Sequence, residues 1–184
     1  MANGFLYTDD IAERRTTLSA LGLSKQRQVT TRCNTLDDFN ATSKQASGWT
    51  EHVCCSDLDG LQVIFPNWYV NASFAEVGSG AAATITASVE YRGTLYQLLF
   101  AGAAAGIAAD GGQIVSDELR LALKKGDAIR IRYFYTNTAG ILFDGRLGPR
   151  DKMNYAASGL SDQTMGAPSN VGTISTKFSY RPCA

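Results

Sequence analysis

The sequence predicts an all-β protein: an antiparallel β-sandwich, jelly-roll-like in its strand spacing, with a short, partly helical N-terminal arm. Three observations carry this expectation. After Gln28, short apolar/polar alternations are separated by Gly, Asn, Asp and Ser at fairly even spacing, the mark of half-buried strands. Almost no segment shows the spacing of a strong helix. Of the 184 residues, 45% are hydrophobic and only 18% charged, which suits one self-sufficient core and argues against bulk disorder. The expected division is an arm over residues 1–26 and the sandwich over 27–184.

Charge and hydropathy narrow the function classes. Seventeen Lys and Arg stand against 17 Asp and Glu, a formal charge of zero. A general nucleic-acid binder needs a cationic excess, so no nucleic-acid partner is expected. The apolar stretches fall far short of the roughly 18–20 residues that span a bilayer. Met1–Phe5 has neither the basic start nor the apolar core of a signal peptide, and no membrane partner is expected.

The elements follow in order. Thr8 can cap a short helix with Asp9 and Asp10 in its first turn, Ile11, Leu18 and Leu21 as a weak apolar stripe, and Gly22 as its stop. So short a helix needs a partner surface, either its own domain or another protein. Strands are expected at Gln28–Cys33, Trp49–Cys55, Leu61–Pro66, Trp68–Phe74 and Thr173–Tyr180. The clearest strand is Thr84–Tyr91, where Ile85, Ala87, Val89 and Tyr91 alternate with polar residues. Arg92-Gly93 turns it into Thr94–Phe100, setting Val89 opposite Tyr96, Ala87 opposite Leu98 and Ile85 opposite Phe100. Arginine is an awkward first residue for that turn, because it requires positive φ.

Ala101–Gly112 reads as a mobile Ala/Gly-rich loop. A second hairpin is expected between Leu119–Leu123 and Ile129–Tyr135, with an odd-length turn around Gly126 placing Leu121 opposite Ile131. That register sets Arg120 beside Arg132 on an outer face, where like charges need an acidic partner or an anion. Leu142–Asn170, rich in Gly, Pro, Asp and Ser, reads as a long surface loop.

The chemistry-bearing residues are few. His52, the single histidine, lies in Glu51-His52-Val53-Cys54-Cys55. A zinc site draws on two ligand pairs and no second pair exists, so a structural strand, no metal and no cofactor are expected. No G-x-S-x-G elbow presents a serine, and the Gly-rich segment lacks the Lys-Ser/Thr of a phosphate loop. Trp49, Trp68, Tyr69, Tyr133 and Tyr135 fit inward core positions better than a sugar-stacking platform. Phe134 differs, sitting on the polar face among arginines. Arg120, Arg130, Arg132 and Phe134 are therefore the candidate interface, suited to a carboxylate-bearing partner.

Four cysteines, Cys33, Cys54, Cys55 and Cys183, are candidate disulfide partners. Neighbours such as Cys54 and Cys55 rarely bridge each other, and alternation points them to opposite faces. The expectation is an interchain bridge from Cys183 or from the outward member of that pair. Four free or buried thiols is the alternative.

Several runs carry a resemblance. Ala87-Ser88-Val89-Glu90-Tyr91, Leu98-Leu99-Phe100-Ala101-Gly102, Asp110-Gly111-Gly112, Val115-Ser116-Asp117, Gly126-Asp127 and Tyr133-Phe134-Tyr135-Thr136-Asn137 together resemble a β-sandwich module of phage- and bacterium-encoded proteins. In many relatives that module precedes an SGNH (GDSL-type) esterase domain. The similarity spans roughly residues 60–182, and Phe178-Ser179-Tyr180-Arg181-Pro182 looks like the junction. The esterase blocks, with their nucleophilic serine, oxyanion Gly and Asn, and Asp-x-x-His, have no counterpart here, so no catalytic residue carries over.

The resemblance implies a non-catalytic structural protein of a bacteriophage particle, in a head-decoration, neck or collar, or tail-associated position. The expected partners are other virion proteins (capsid, portal or tail components) and further copies of the chain, with a trimer as the working expectation. The expected location is the virion. The alternatives are a carbohydrate-binding module for host surface glycans and a remnant N-terminal part of an SGNH esterase.

Overall fold

The computed structural model describes residues 36–143 and 152–166, with Lys152 described by its backbone alone. The predicted arm over residues 1–26, the predicted strands at 28–33 and 173–180, and Cys33 and Cys183 lie outside the described residues. Those described form an all-β, antiparallel structure. The first six strands are β1 (Asp38–Asn40), β2 (Gln45–Val53), β3 (Ile64–Pro66), β4 (Trp68–Val70), β5 (Glu76–Gly78) and β6 (Ala83–Tyr91). The rest are β7 (Thr94–Gln97), β8 (Ala105–Ala108), β9 (Gln113–Val115), β10 (Ala128–Asn137), β11 (Ile141–Phe143) and β12 (Lys152–Ala156).

Six of them make one sheet in the order β12-β2-β10-β6-β7, with β8 also pairing β6. Ribbons β1–β11, β3–β9 and β4–β5 complete the fold. The β6–β7 hairpin has the expected register, with Val89 opposite Tyr96 and Leu98 N–H donating to Ala87 O at 2.9 Å. Its two-residue turn has positive φ at both positions, 51° at Arg92 and 81° at Gly93. Arg92 therefore accepts the strain expected of it, with its guanidinium 4.8 Å from the Tyr91 ring centre.

Three expectations are corrected. The first concerns Ala101–Gly112. β7 ends at Gln97, and Phe100 bridges back to Ala103 across a turn with positive φ at Ala101 and Gly102. The half of β6 that β7 leaves open is paired by β8, so Ile85 faces Gly106 and not Phe100. The small residues are a packing requirement, since a Cβ on Gly106 would lie 2.5 Å from Ile114 Cδ1 and 2.6 Å from Phe100 Cγ.

The second correction concerns the hairpin across Gly126, which does not form. Leu119 and Leu123 bridge Leu61 and Leu58, while β10 lies between β2 and β6. Ile131 thus faces Thr50 and Val89, not Leu121. The physical reason is charge as much as packing. The expected register stacks Arg120 on Arg132, whereas the observed one places Arg130 between Glu51 and Glu90, and opposite charges across strands stabilise where like charges repel. The third correction concerns Leu142–Asn170: Leu142 and Phe143 are buried in β11, and β12 is the sheet's edge beside β2.

The inner face of the large sheet carries Ile85, Ala87, Val89, Ile129, Ile131, Tyr133 and Met153, all buried. They share one hydrophobic cluster with Val63, Phe65, Leu98, Phe100 and Ile141, and the Phe65 and Phe100 rings meet edge to face at 5.7 Å. Within this interior lies a polar hub. Asn67, fully buried, points its Nδ2 at the carbonyls of Ala81, Ala108 and Ala109 at 2.8, 3.2 and 3.0 Å. Its Oδ1 accepts from the hydroxyl of Tyr135 at 3.0 Å and lies 2.8 Å from Ser79 Oγ. Asn137 Nδ2 lies 2.7 Å from Ser79 Oγ and 3.1 Å from the Tyr135 hydroxyl. Burial this complete is tolerable because every member finds partners. Burial also pushes the Tyr135 hydroxyl far above its ordinary pKa, so it stays a neutral donor.

Candidate functional site

Directly opposed residues in an antiparallel pair share a face, so the register defines what the outer face of the large sheet presents. From one end, successive rows are Glu51–Arg130–Glu90, Trp49–Arg132–Ser88, Ser47–Phe134–Thr86 and Gln45–Thr136–Thr84. Three of the four predicted interface residues, Arg130, Arg132 and Phe134, are therefore neighbours along β10. The fourth, Arg120, is exposed on the segment that pairs with residues 58–61, away from that row.

The first row is an ion triad. Arg130 Nε lies 3.4 Å from Glu51 Oε2, and its Nη1 lies 3.4 Å from Glu90 Oε1. The guanidinium also sits 5.8 Å from the Trp49 ring centre. The two carboxylates are only 10% and 12% exposed, against 41% for the arginine. The pairs are thus better shielded than ordinary surface ion pairs, which contribute little.

Arg132 behaves differently. It is 1% exposed, because the chain's own segment Leu160–Gly166 lies across the outer face as a strap. Leu160 N–H donates to Gln45 Oε1 at 2.9 Å, and Thr86 Oγ1 donates to Asp162 Oδ2 at 2.5 Å. Ser88 Oγ donates to Thr164 O at 2.5 Å, and Arg132 Nη1 donates to Gly166 O at 2.9 Å. Asp162 Oδ1 also accepts the Thr164 N–H and hydroxyl at 2.8 and 2.6 Å, which fixes the turn of the strap. Burial pulls the Arg132 guanidinium below its ordinary pKa, while the charges of Glu90 and Asp162 push it back. The strap runs from β2 to β6 across β10, and Phe134 is half-buried rather than the open aromatic expected.

The Glu51–Cys55 cluster closes β2. His52 is fully buried, its Nε2 2.8 Å from Thr50 Oγ1. As alternation predicts, Cys54 faces in and Cys55 out, and both are free thiols. Burial raises the Cys54 thiol above its ordinary pKa, helped by the Asp127 carboxylate. Asp127 closes the corner around them. Its Oδ2 accepts from Lys124 N–H at 2.9 Å and Tyr91 OH at 2.7 Å, and Arg92 lies 3.6 Å from its Oδ1. The Lys124 amide, then the Tyr91 hydroxyl, hold the Asp127 carboxyl below its ordinary range.

Sequence reasoning missed Glu51, Glu90, Thr86, Ser88 and Asp162 as the partners of this face. The alternation in Thr84–Tyr91 did mark Thr86, Ser88 and Glu90 as outward residues. What they would meet was set by strands and a strap distant in sequence. No protein-family model matches the chain, and no curated protein matches it.

Proposed function

We propose that this chain is a non-catalytic structural protein of a bacteriophage particle, docking onto other virion proteins at the head surface, the neck or the tail. In this reading the large sheet and the ribbons opposite its inner face form a β-sandwich of jelly-roll type. The supporting observation is how the chemically capable side chains are employed. His52 is enclosed beside Thr50, Arg130 is held between Glu51 and Glu90, and Arg132 anchors the strap. These groups hold the structure together. The resemblance to the module that precedes SGNH esterases points the same way. The glycan-binding alternative draws less support, since it needs an open Phe134 and the strap crosses its strand.

Mass spectrometry of purified particles from a lysate that expresses the chain tests the proposal. The expected result is the chain in multiple copies per particle, retained after washing at moderate salt. Particles lacking the chain would overturn it. Hydrolysis of a simple aryl acetate by the purified chain would favour the esterase remnant instead.

A further inference from the structure

On the side of β7 the large sheet ends in an edge that the chain covers in one place and leaves open in the next. In the β6–β7 hairpin Tyr91 faces Thr94 across the two-residue turn, and Val89 faces Tyr96. Further along, Leu98 N–H donates to Ala87 O at 2.9 Å. Antiparallel neighbours exchange hydrogen bonds at every second pair, so Thr94, Tyr96 and Leu98 turn their main-chain groups towards β6. Leu95, Gln97 and Leu99 turn theirs away. The carbonyl of Leu99 is met by Asp117 N–H at 2.7 Å. The N–H and C=O groups of Leu95 and Gln97 meet no other group among the described residues. Leu95 is half-buried and Gln97 exposed, so two donors and two acceptors stand open at the rim of the sheet.

Native sheets blunt such edges with a lysine, a proline or a bulge. β7 is short, yet Thr94-Leu95-Tyr96-Gln97 carries no charge and no proline, and its register with β6 is unbroken. An open edge takes an antiparallel strand whose own free groups have the same spacing, and β7 itself is such a strand. Laid against a second β7 with Tyr96 opposite Tyr96, Leu95 of each copy falls opposite Gln97 of the other. Each of those two pairs exchanges both of its N–H···O bonds, so every open donor and acceptor finds a partner. The Tyr96 pair is then one without hydrogen bonds, where side chains come closest and facing aromatic rings add to the pairing. No like charges oppose each other across the contact.

We propose that the β7 edge joins two copies of this chain, strand to strand, about a two-fold axis at Tyr96. The occupant is β7 of a second copy, and the two large sheets become one continuous antiparallel sheet. A two-fold contact uses the same patch on both copies and closes at two. Its small size places it among the weak, transient interfaces. The proposal goes beyond the virion reading and stands without it.

Amide hydrogen exchange of the full chain tests it, over a concentration series reaching the millimolar range with the mass read by sedimentation velocity. The mass is expected to rise towards two copies, and the Leu95 and Gln97 amides to gain protection in step with it. The Tyr96 amide, already turned to β6, should change little. Gln97→Pro removes an edge donor that β6 does not use, at a position where an edge strand tolerates proline. It should weaken association at least about tenfold, through two hydrogen bonds lost per pair of copies, and unfold close to the wild-type temperature. A wild type that stays monomeric throughout overturns the proposal. So does one that associates while its Leu95 and Gln97 amides exchange as fast as in the monomer. A folded Gln97→Pro variant that associates normally overturns it too, and if that variant folds poorly the wild-type amides decide alone.

Discussion

Asn67 is a single side chain on which two carbonyl-rich turns and two strands depend. Its amide meets the carbonyls of Ala81, Ala108 and Ala109, and its oxygen receives Tyr135. Replacing it with alanine leaves those groups without their partner in a buried interior, and each buried unsatisfied group costs about 1–3 kcal/mol. Asn67→Ala should therefore lower stability by roughly 3 kcal/mol or more, read by urea unfolding. A loss within the range of ordinary surface substitutions would show that water satisfies the hub. Asp127 makes a pH prediction at the same scale. Its folded pKa lies below the ordinary 3.8, so ionised Asp127 favours the folded state above that value. The contribution disappears as pH falls from about 3.8 through the lower folded value. Asp127→Asn should lower stability at neutral pH and flatten the acid limb of a stability–pH curve; an unchanged limb would remove Asp127 from the account.

At the scale of elements, the strap is the part whose contribution can be isolated. Four side chains of the sheet, Gln45, Thr86, Ser88 and Arg132, hold Leu160–Gly166. Thr86→Val with Ser88→Ala removes two anchors, each worth about 1 kcal/mol. Amide exchange across residues 160–166 should then accelerate by at least about tenfold, while β2, β6 and β10 keep their protection. Exchange that stays slow would place the strap's stability elsewhere. The elements also show what the sequence could reveal. The β6–β7 register was legible because its partners sit across a two-residue turn, and alternation alone put Arg130, Arg132 and Phe134 on one face. The position of β10 was not legible, because Glu51 lies 79 positions from Arg130 and local alternation carries no record of so distant a partner. β8 was hidden by its Ala and Gly content, which lacks the β-branched signal of a strand yet fits the tight approach of Gly106 to Phe100. β12 was hidden within a Gly-, Pro- and Asp-rich stretch, where composition suggests a loop.

At the scale of the whole molecule, the formal charge of zero conceals how the charges are used. Arg130 lies between Glu51 and Glu90, Lys124 lies 3.1 Å from Asp57, and Arg92 lies 3.6 Å from Asp127. The first of these joins β2, β10 and β6 across the outer face of the large sheet. Arg130→Met leaves two carboxylates, only 10% and 12% exposed, on one row without that cation. Removing one partner of a shielded pair costs more than the pair contributes, so Arg130→Met should lower stability, read by urea unfolding. Adding Glu51→Gln and Glu90→Gln removes those two carboxylate charges and should recover part of that loss, because contacting residues couple. A triple variant no more stable than Arg130→Met would show that Arg130 acts through packing and not through its charge.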